Sequence, residues 1–228
     1  MLPGSGATDY ARYMRTDVLL ALQRPEHVLV HRDELLFQVV HQVHELWLRL
    51  ASRESTAAAA RIAGGDVAGA VDLLGRTSRI IELVTDGLGL LAALAPRDFA
   101  VIRTVLGNGS GVDSPGWRAV GEAGRELAGA FDAILFSHGV DVLDIYRTSD
   151  NALFDLARAL LDLDERISVW GHRHHLLVVR IIGGGAVATQ GMPVDAFATL
   201  PARRLFPRLW QAGIDLTVAE PDGRGGRR

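Results

Sequence analysis

Residues 31–50, HRDELLFQVVHQVHELWLRL, decide how the rest of the chain is read. Asp33 as N-cap and Glu34 in the first turn predict the start of a helix. Wound at about 100° per residue, Leu35, Leu36, Val39, Val40, Val43, Leu46, Trp47 and Leu50 fill one broad apolar arc. Gln38, Gln42, Glu45 and Arg49 fill the opposite one. Along the seam between them, Phe37, His41, His44 and Leu48 make a stripe at spacings of four, three and four. An aromatic ring and an imidazole one turn apart, at the rim of a buried face, make a candidate pocket wall. Taken alone, a histidine at such an edge is as a rule solvated or hydrogen-bonded and carries no chemistry.

Outward from this stretch the chain reads as further helices. The first extends to about Ile62, where an alanine run of high helix propensity gives way to Gly64-Gly65. A second is predicted over residues 66–94, ending before Pro96. Its Val67, Ala70, Val71, Leu74, Ile80, Leu83 and Val84 recur at three and four, as in a bundle member. A third piece runs from Arg97 to Gly107. Residues 107–116, GNGSGVDSPG, hold four glycines and a proline, a loop whose backbone can approach a ligand closely. Helices resume over residues 118–136 and 150–182, the latter capped by Ser149-Asp150 and broken by Gly183-Gly184-Gly185. No alternating run long enough for a sheet appears. The expected fold is all-α, an antiparallel bundle forming one domain over residues 1–228, with a ligand loop at one end and residues 1–8 and 220–228 disordered.

Composition narrows the function. The 228 residues are 48% hydrophobic and 22% charged, enough for a real core. With 24 basic and 27 acidic residues the net charge is −3, which argues against nucleic acid or an anionic membrane as partner. There is no cysteine, which excludes disulfides, zinc–thiolate sites, thiolate-ligated haem and thioether attachment. Any metal is left to histidine, carboxylates or a cofactor ring. No segment reaches the ~18 uncharged apolar residues of a membrane span, so a soluble, cytoplasmic protein is expected.

A second histidine group lies in residues 169–183, VWGHRHHLLVVRIIG. On a helix His172, His174 and His175 point in directions about 100° or more apart, so they cannot ligate one ion together. One of them facing a bundle interior is instead suited to an axial haem position. Arg103 lies one turn after Phe99 and just before the glycine loop. A mid-helix arginine is most often a surface residue, but its planar guanidinium also suits bidentate capture of a carboxylate.

The segment DELLFQVVHQVHELWLRL resembles the haem-dependent tryptophan 2,3-dioxygenases, which carry an acidic pair, Leu-Phe, His-Gln and Glu-Leu-Trp at these spacings. Four further blocks resemble the same family, which belongs to the histidine-ligated haem-dependent aromatic oxygenases. They are YARYMRTDVLLALQ, the Arg103 to Ser114 block, the Trp170 to Gly183 block, and LFPRLW. The resemblance implies b-type haem with His174 as axial iron ligand and Trp170, Ser110 and Arg180 about the cofactor. It places His41 over the distal face as the candidate catalytic residue. Phe37 would wall the substrate ring, Arg103 would hold its carboxylate, and Phe99, Ser110, Gly111 and Thr189 would complete the substrate site. Tyr10, Tyr13 and Met14 would close it, from a neighbouring subunit of a homodimer or homotetramer if the family's assembly is shared.

Departures accompany the likeness. Gly171 stands where the family has Arg, Phe99 where it has Tyr, and Val112-Asp113 where it has an aromatic-Gln pair. The chain is short between Phe136 and Asp150. After Arg180, GGGAVATQG replaces a Gly-Thr-Gly-Gly-Ser loop, so that Ala188 stands where the family has a threonine, beside Thr189. The implied activity is insertion of oxygen from O2 into the indole of tryptophan or a modified tryptophan. Two oxygens would give an N-formylkynurenine type product and one an oxindole or hydroxyindole; the altered loop favours a side-chain-modified tryptophan as substrate, or the one-oxygen product, over plain dioxygenation of L-tryptophan. A haem-binding sensor or carrier of the same fold is the alternative.

Overall fold

Four long helices carry the computed structural model of the protein, which describes residues 4–148, 151–185 and 204–219. They are α3 (Glu34–Ala63), α4 (Val67–Leu91), α6 (Pro115–His138) and α8 (Ala152–Ile182). Shorter helices flank them: α1 (Asp9–Met14), α2 (Thr16–Leu19), α5 (Pro96–Arg103), α7 (Val142–Arg147) and α9 (Pro207–Ala219). Among the described residues there is no strand, as the absence of alternating runs predicts. α3 packs on both α4 and α6, and α4 packs on α8, so α3 and α8 face each other across the bundle interior.

The helix ends explain the boundaries. Asp66 accepts a hydrogen bond from Gly69 N–H and starts α4, and Ser114 accepts from Trp117 N–H and starts α6 with Pro115 at the first position. α8 is capped by Asn151, which accepts from Phe154 N–H, so its cap is the residue after the expected Ser149-Asp150. Asp33 makes no capping bond either. The buried Glu34 does the work instead: its carboxylate accepts Val30 N–H at 2.8 Å and pairs with Arg24 at 2.5 Å. Residues 4–8, expected to be disordered, have partners: Ser5 bonds Asp17, Gly6 O accepts from Arg12, and Thr8 caps α1.

The main core joins Leu48, Ile62, Leu74, Ile81, Leu127, Leu156, Leu160 and Leu163, all essentially without solvent contact. A smaller cluster, Val40, Leu88, Leu91, Leu94 and Ile102, closes the other end of the bundle. On α3 the residues that face inward are Val40, His44, Leu48 and Ala51, while Leu35, Val39, Val43, Leu46 and Leu50 are exposed. The expected broad apolar arc is therefore corrected: the seam carrying the histidines is the buried face, because α4 and α6 close on α3 along it. At the C-terminal end, fully buried Asp164 of α8 accepts the N–H groups of Leu205 and Phe206 and the indole N–H of Trp210, which docks α9.

Candidate functional site

Between the second cluster and the glycine loop the bundle opens into a cavity of about 480 Å³, lined by α3, α4, α5, the start of α6 and the last turns of α8. Leu48, Leu88, Leu91, Leu94, Leu106, Leu177 and Ile181 make its wall mostly apolar. Among the described residues, polar groups enter at His41, His44 and Glu45 on α3, Arg103 at the end of α5, Ser110, Asp113 and Ser114 in the loop, Trp117 on α6, and Trp170 and His174 on α8. Such a lining, apolar with a few convergent polar groups, is the ordinary composition of a small-molecule site.

The α3 wall follows from its spacing. Phe37 and His41 lie one turn apart with ring centroids 4.2 Å from each other, and Phe99 of α5 stands 5.7 Å from Phe37. His31 links the starts of these two helices: its Nδ1 accepts Asp33 N–H at 3.2 Å and its Nε2 lies 3.9 Å from Asp98. His41 Nδ1 is 2.7 Å from Phe37 O. A carbonyl only accepts, so Nδ1 carries the proton and Nε2 is left as an acceptor. His41 opens to the cavity, yet the surrounding protein lowers its pKa, burial outweighing the help of Phe37 O and Glu45.

His44 lies deeper, 6.3 Å from His41 between ring centroids, and its Nε2 is buried with no hydrogen-bond partner. Burial, then His41 and His174, lower its pKa to about 4. Gly87 of α4 makes room for this ring, since a Cβ there would lie 2.2 Å from His44 Nε2. On α8, His174 stacks on Trp170 at 4.9 Å and 11°, and Trp170 lies 3.9 Å from Trp117 of α6. Burial, then His41 and His175, lower the His174 pKa to about 4 as well. Gly111 brings bare backbone to it, where a Cβ would stand 3.7 Å from Cε1 and Nε2.

Of the residues expected at the site, Phe37, His41, Phe99, Arg103, Ser110, Gly111, Trp170 and His174 all line this one cavity. Three others do not: Tyr10, Tyr13 and Met14 are 68%, 66% and 51% exposed on their own chain. Arg180 is exposed on α8 and does not line it. Thr189, with Val187 and Ala188, lies outside the described residues. His172 is bonded through Nδ1 to Ser168 O, and His175 lies outside the cavity lining, so the three neighbouring histidines diverge as helical geometry requires. Sequence reasoning gave no role to His44, Glu45 or Trp117, and it set Glu45 on the polar face. Glu45 instead accepts the Ser114 hydroxyl and, at 2.9 Å, Gly116 N–H. The signal available was the Ser-Pro start of α6, which places Trp117 in its first turn. A second groove, between α4 and α8, holds charge that is already balanced, with Arg79 and Arg166 both paired to Glu82.

Fold and site together define an all-α bundle protein that presents neutral imidazoles from facing helices, and one guanidinium, to a single apolar cavity. The family model for tryptophan 2,3-dioxygenase matches residues 2–124. A tryptophan 2,3-dioxygenase of Caulobacter vibrioides is 34% identical, with 88% of this chain and 95% of that protein aligned. Those of Rhodococcus jostii and Kineococcus radiotolerans are 29% identical over 76% of this chain and 80% of that protein, and 40% identical over 49% and 39%. The chain belongs to the tryptophan 2,3-dioxygenase family.

Proposed function

We propose that this protein is a haem-dependent oxygenase that inserts both atoms of O2 across the indole C2–C3 bond of tryptophan, giving N-formylkynurenine, the reaction its relatives are named for, in place of the outcome expected from the altered loop. One observation carries the reading: His41 and His174, both neutral, reach one apolar cavity from opposite helices with Arg103 at its edge. The residues present fit a b-type haem. A neutral imidazole is the form that binds iron, and His174 is held in that form by burial. Trp170 stacks on it, Ser110 lines the same cavity, and the Gly111 backbone lies beside it. The haem supplies the activation of dioxygen, which no side chain here can perform.

The chain's own groups bind and orient. Arg103 holds the substrate carboxylate, with Ser110 and Gly111 beside it. The rings of Phe37 and Phe99 flank the indole. His41 Nε2, unprotonated, accepts the indole N–H, since its Nδ1 proton is committed to Phe37 O. The leucines around them exclude water, which strengthens each polar contact. Tyr10, Tyr13 and Met14, exposed on their own chain, cover the site of a neighbouring copy in a soluble, cytoplasmic homo-oligomer.

The test is reconstitution with haemin, reduction, and mass spectrometry of products formed from L-tryptophan under 18O-labelled dioxygen. N-formylkynurenine with two labelled oxygens is expected. A singly labelled oxindole or hydroxyindole would overturn dioxygenation, and a Soret band without substrate-dependent oxygen uptake would make the protein a haem sensor or carrier.

A further inference from the structure

His174 stacks flat on Trp170, and a stacked neighbour limits how far an imidazole can turn about its own side chain. Trp170 in its turn has no polar tether, because its Nε1 is buried and without a partner. Trp170 packs against both apolar clusters, and its closest ring contact is Trp117, 3.9 Å away at 37°. Trp117 sits in the first turn of α6, and that turn is pinned from α3. Trp117 N–H donates to Ser114 Oγ at 3.1 Å, the Ser114 hydroxyl donates to Glu45, and Gly116 N–H donates to the other Glu45 oxygen. Gly116 permits this approach, since a Cβ there would stand 2.7 Å from Glu45 Oε2 and 2.6 Å from Leu48 Cβ. Glu45 is one helical turn beyond His41.

We propose that Trp117 and Glu45 are positioning residues for His174: Glu45 fixes the first turn of α6, Trp117 packs on Trp170, and Trp170 sets the plane of the His174 imidazole. His41 and His174 are thereby held in register from one helix, with Glu45 tying the turn that carries His41 to the ring stack beneath His174. A ligand's supporting shell commonly orients it through hydrogen bonds; here aromatic contact does so. This inference rests on the haem reading above.

The experiment uses the full chain reconstituted with haemin. In the ferrous protein, resonance Raman spectroscopy reads the iron–imidazole stretching band, and transfer to a haem-scavenging globin reads haem release. Trp117→Ala should shift and broaden the band and speed release roughly tenfold, the scale of one lost aromatic pair. Trp117→Phe should restore most of the wild-type band. Glu45→Gln, which keeps its size but cannot accept at both positions, should broaden the band in the same direction without unfolding the chain. A band unmoved in Trp117→Ala and Glu45→Gln, with only thermal stability lowered, would overturn the proposal and leave Trp117 as core packing. If the band survives His174→Ala, or no haem is bound at all, the haem reading fails first and takes this one with it.

Discussion

Burial keeps His44 and His174 uncharged, lowering each imidazole from an ordinary 6.5 to about 4. An unfolded chain takes up these protons as pH falls through 6.5, while the folded one resists until about 4. Between those values the unfolded state binds more protons, so stability present above 6.5 is lost on acidification through that window. Urea midpoints of the apoprotein should therefore fall between about pH 7.5 and about pH 5, with His44→Ala falling less; equal midpoints would mean these rings are not neutral by burial. For the ligand itself, His174→Ala should abolish stable haem binding while His172→Ala and His175→Ala keep it, and a full Soret band in the first variant contradicts the assignment. Arg103→Leu should leave haem content in place and weaken tryptophan binding roughly a hundredfold, the effect of about 2–3 kcal/mol for a charge-assisted contact. An unchanged Kd by equilibrium titration would move the carboxylate site elsewhere. At this scale much was legible: Phe37, His41, Arg103 and His174 were named from spacing and likeness, and all line one cavity. His44, Glu45 and Trp117 had no role assigned, because their positions depend on which neighbouring helix each one meets.

Among elements, the α3–α4 contact rests on a glycine. A Cβ at Gly87 would lie 2.2 Å from His44 Nε2, so Gly87→Ala must push the helices apart or drive the ring into the cavity. Overpacking of this kind costs about 1–3 kcal/mol, against a helix-propensity gain for alanine of about 1 kcal/mol. In a His44→Ala background the clash is gone and only the gain is left. Gly87→Ala should thus destabilise the wild type and stabilise the His44→Ala variant, by about 1 kcal/mol at most in the second case. Chemical denaturation of the four proteins reads the sign; the same cost in both backgrounds would show that His44 is not what Gly87 accommodates. The helices themselves were legible because glycine pairs and Pro96 punctuate them, whereas the Ser-Pro step that starts α6 reads as part of the glycine loop. The inward face of α3 was not. Periodicity locates apolar residues on a helix but does not tell which of them a neighbour will cover, and α4 and α6 converge on the histidine seam.

Whole-molecule behaviour depends on apolar surface that the single chain leaves open. Leu35, Val39, Val43, Leu46 and Leu50 form an exposed row along α3, and Tyr10, Tyr13, Met14 and Val18 stand out from α1 and α2. Residues of this kind in one contiguous patch mark an interaction surface, whereas singly scattered they would need no explanation. The order of five family-like blocks along the chain was readable directly, but which surface meets a second copy is set by three-dimensional adjacency that no spacing rule records. Size-exclusion chromatography with light scattering should return a multiple of the 24.6 kDa chain mass. Val39→Glu with Leu46→Glu places two charges on the row without touching the cavity lining, and it should lower the mass toward one chain. If Tyr10, Tyr13 and Met14 cover a neighbour's site, that variant keeps its haem but binds tryptophan more weakly, because the cover is lost while His174 and its supporting rings stay in place. A wild-type protein that is monomeric at micromolar concentration and still turns over tryptophan would show that each chain completes its own site.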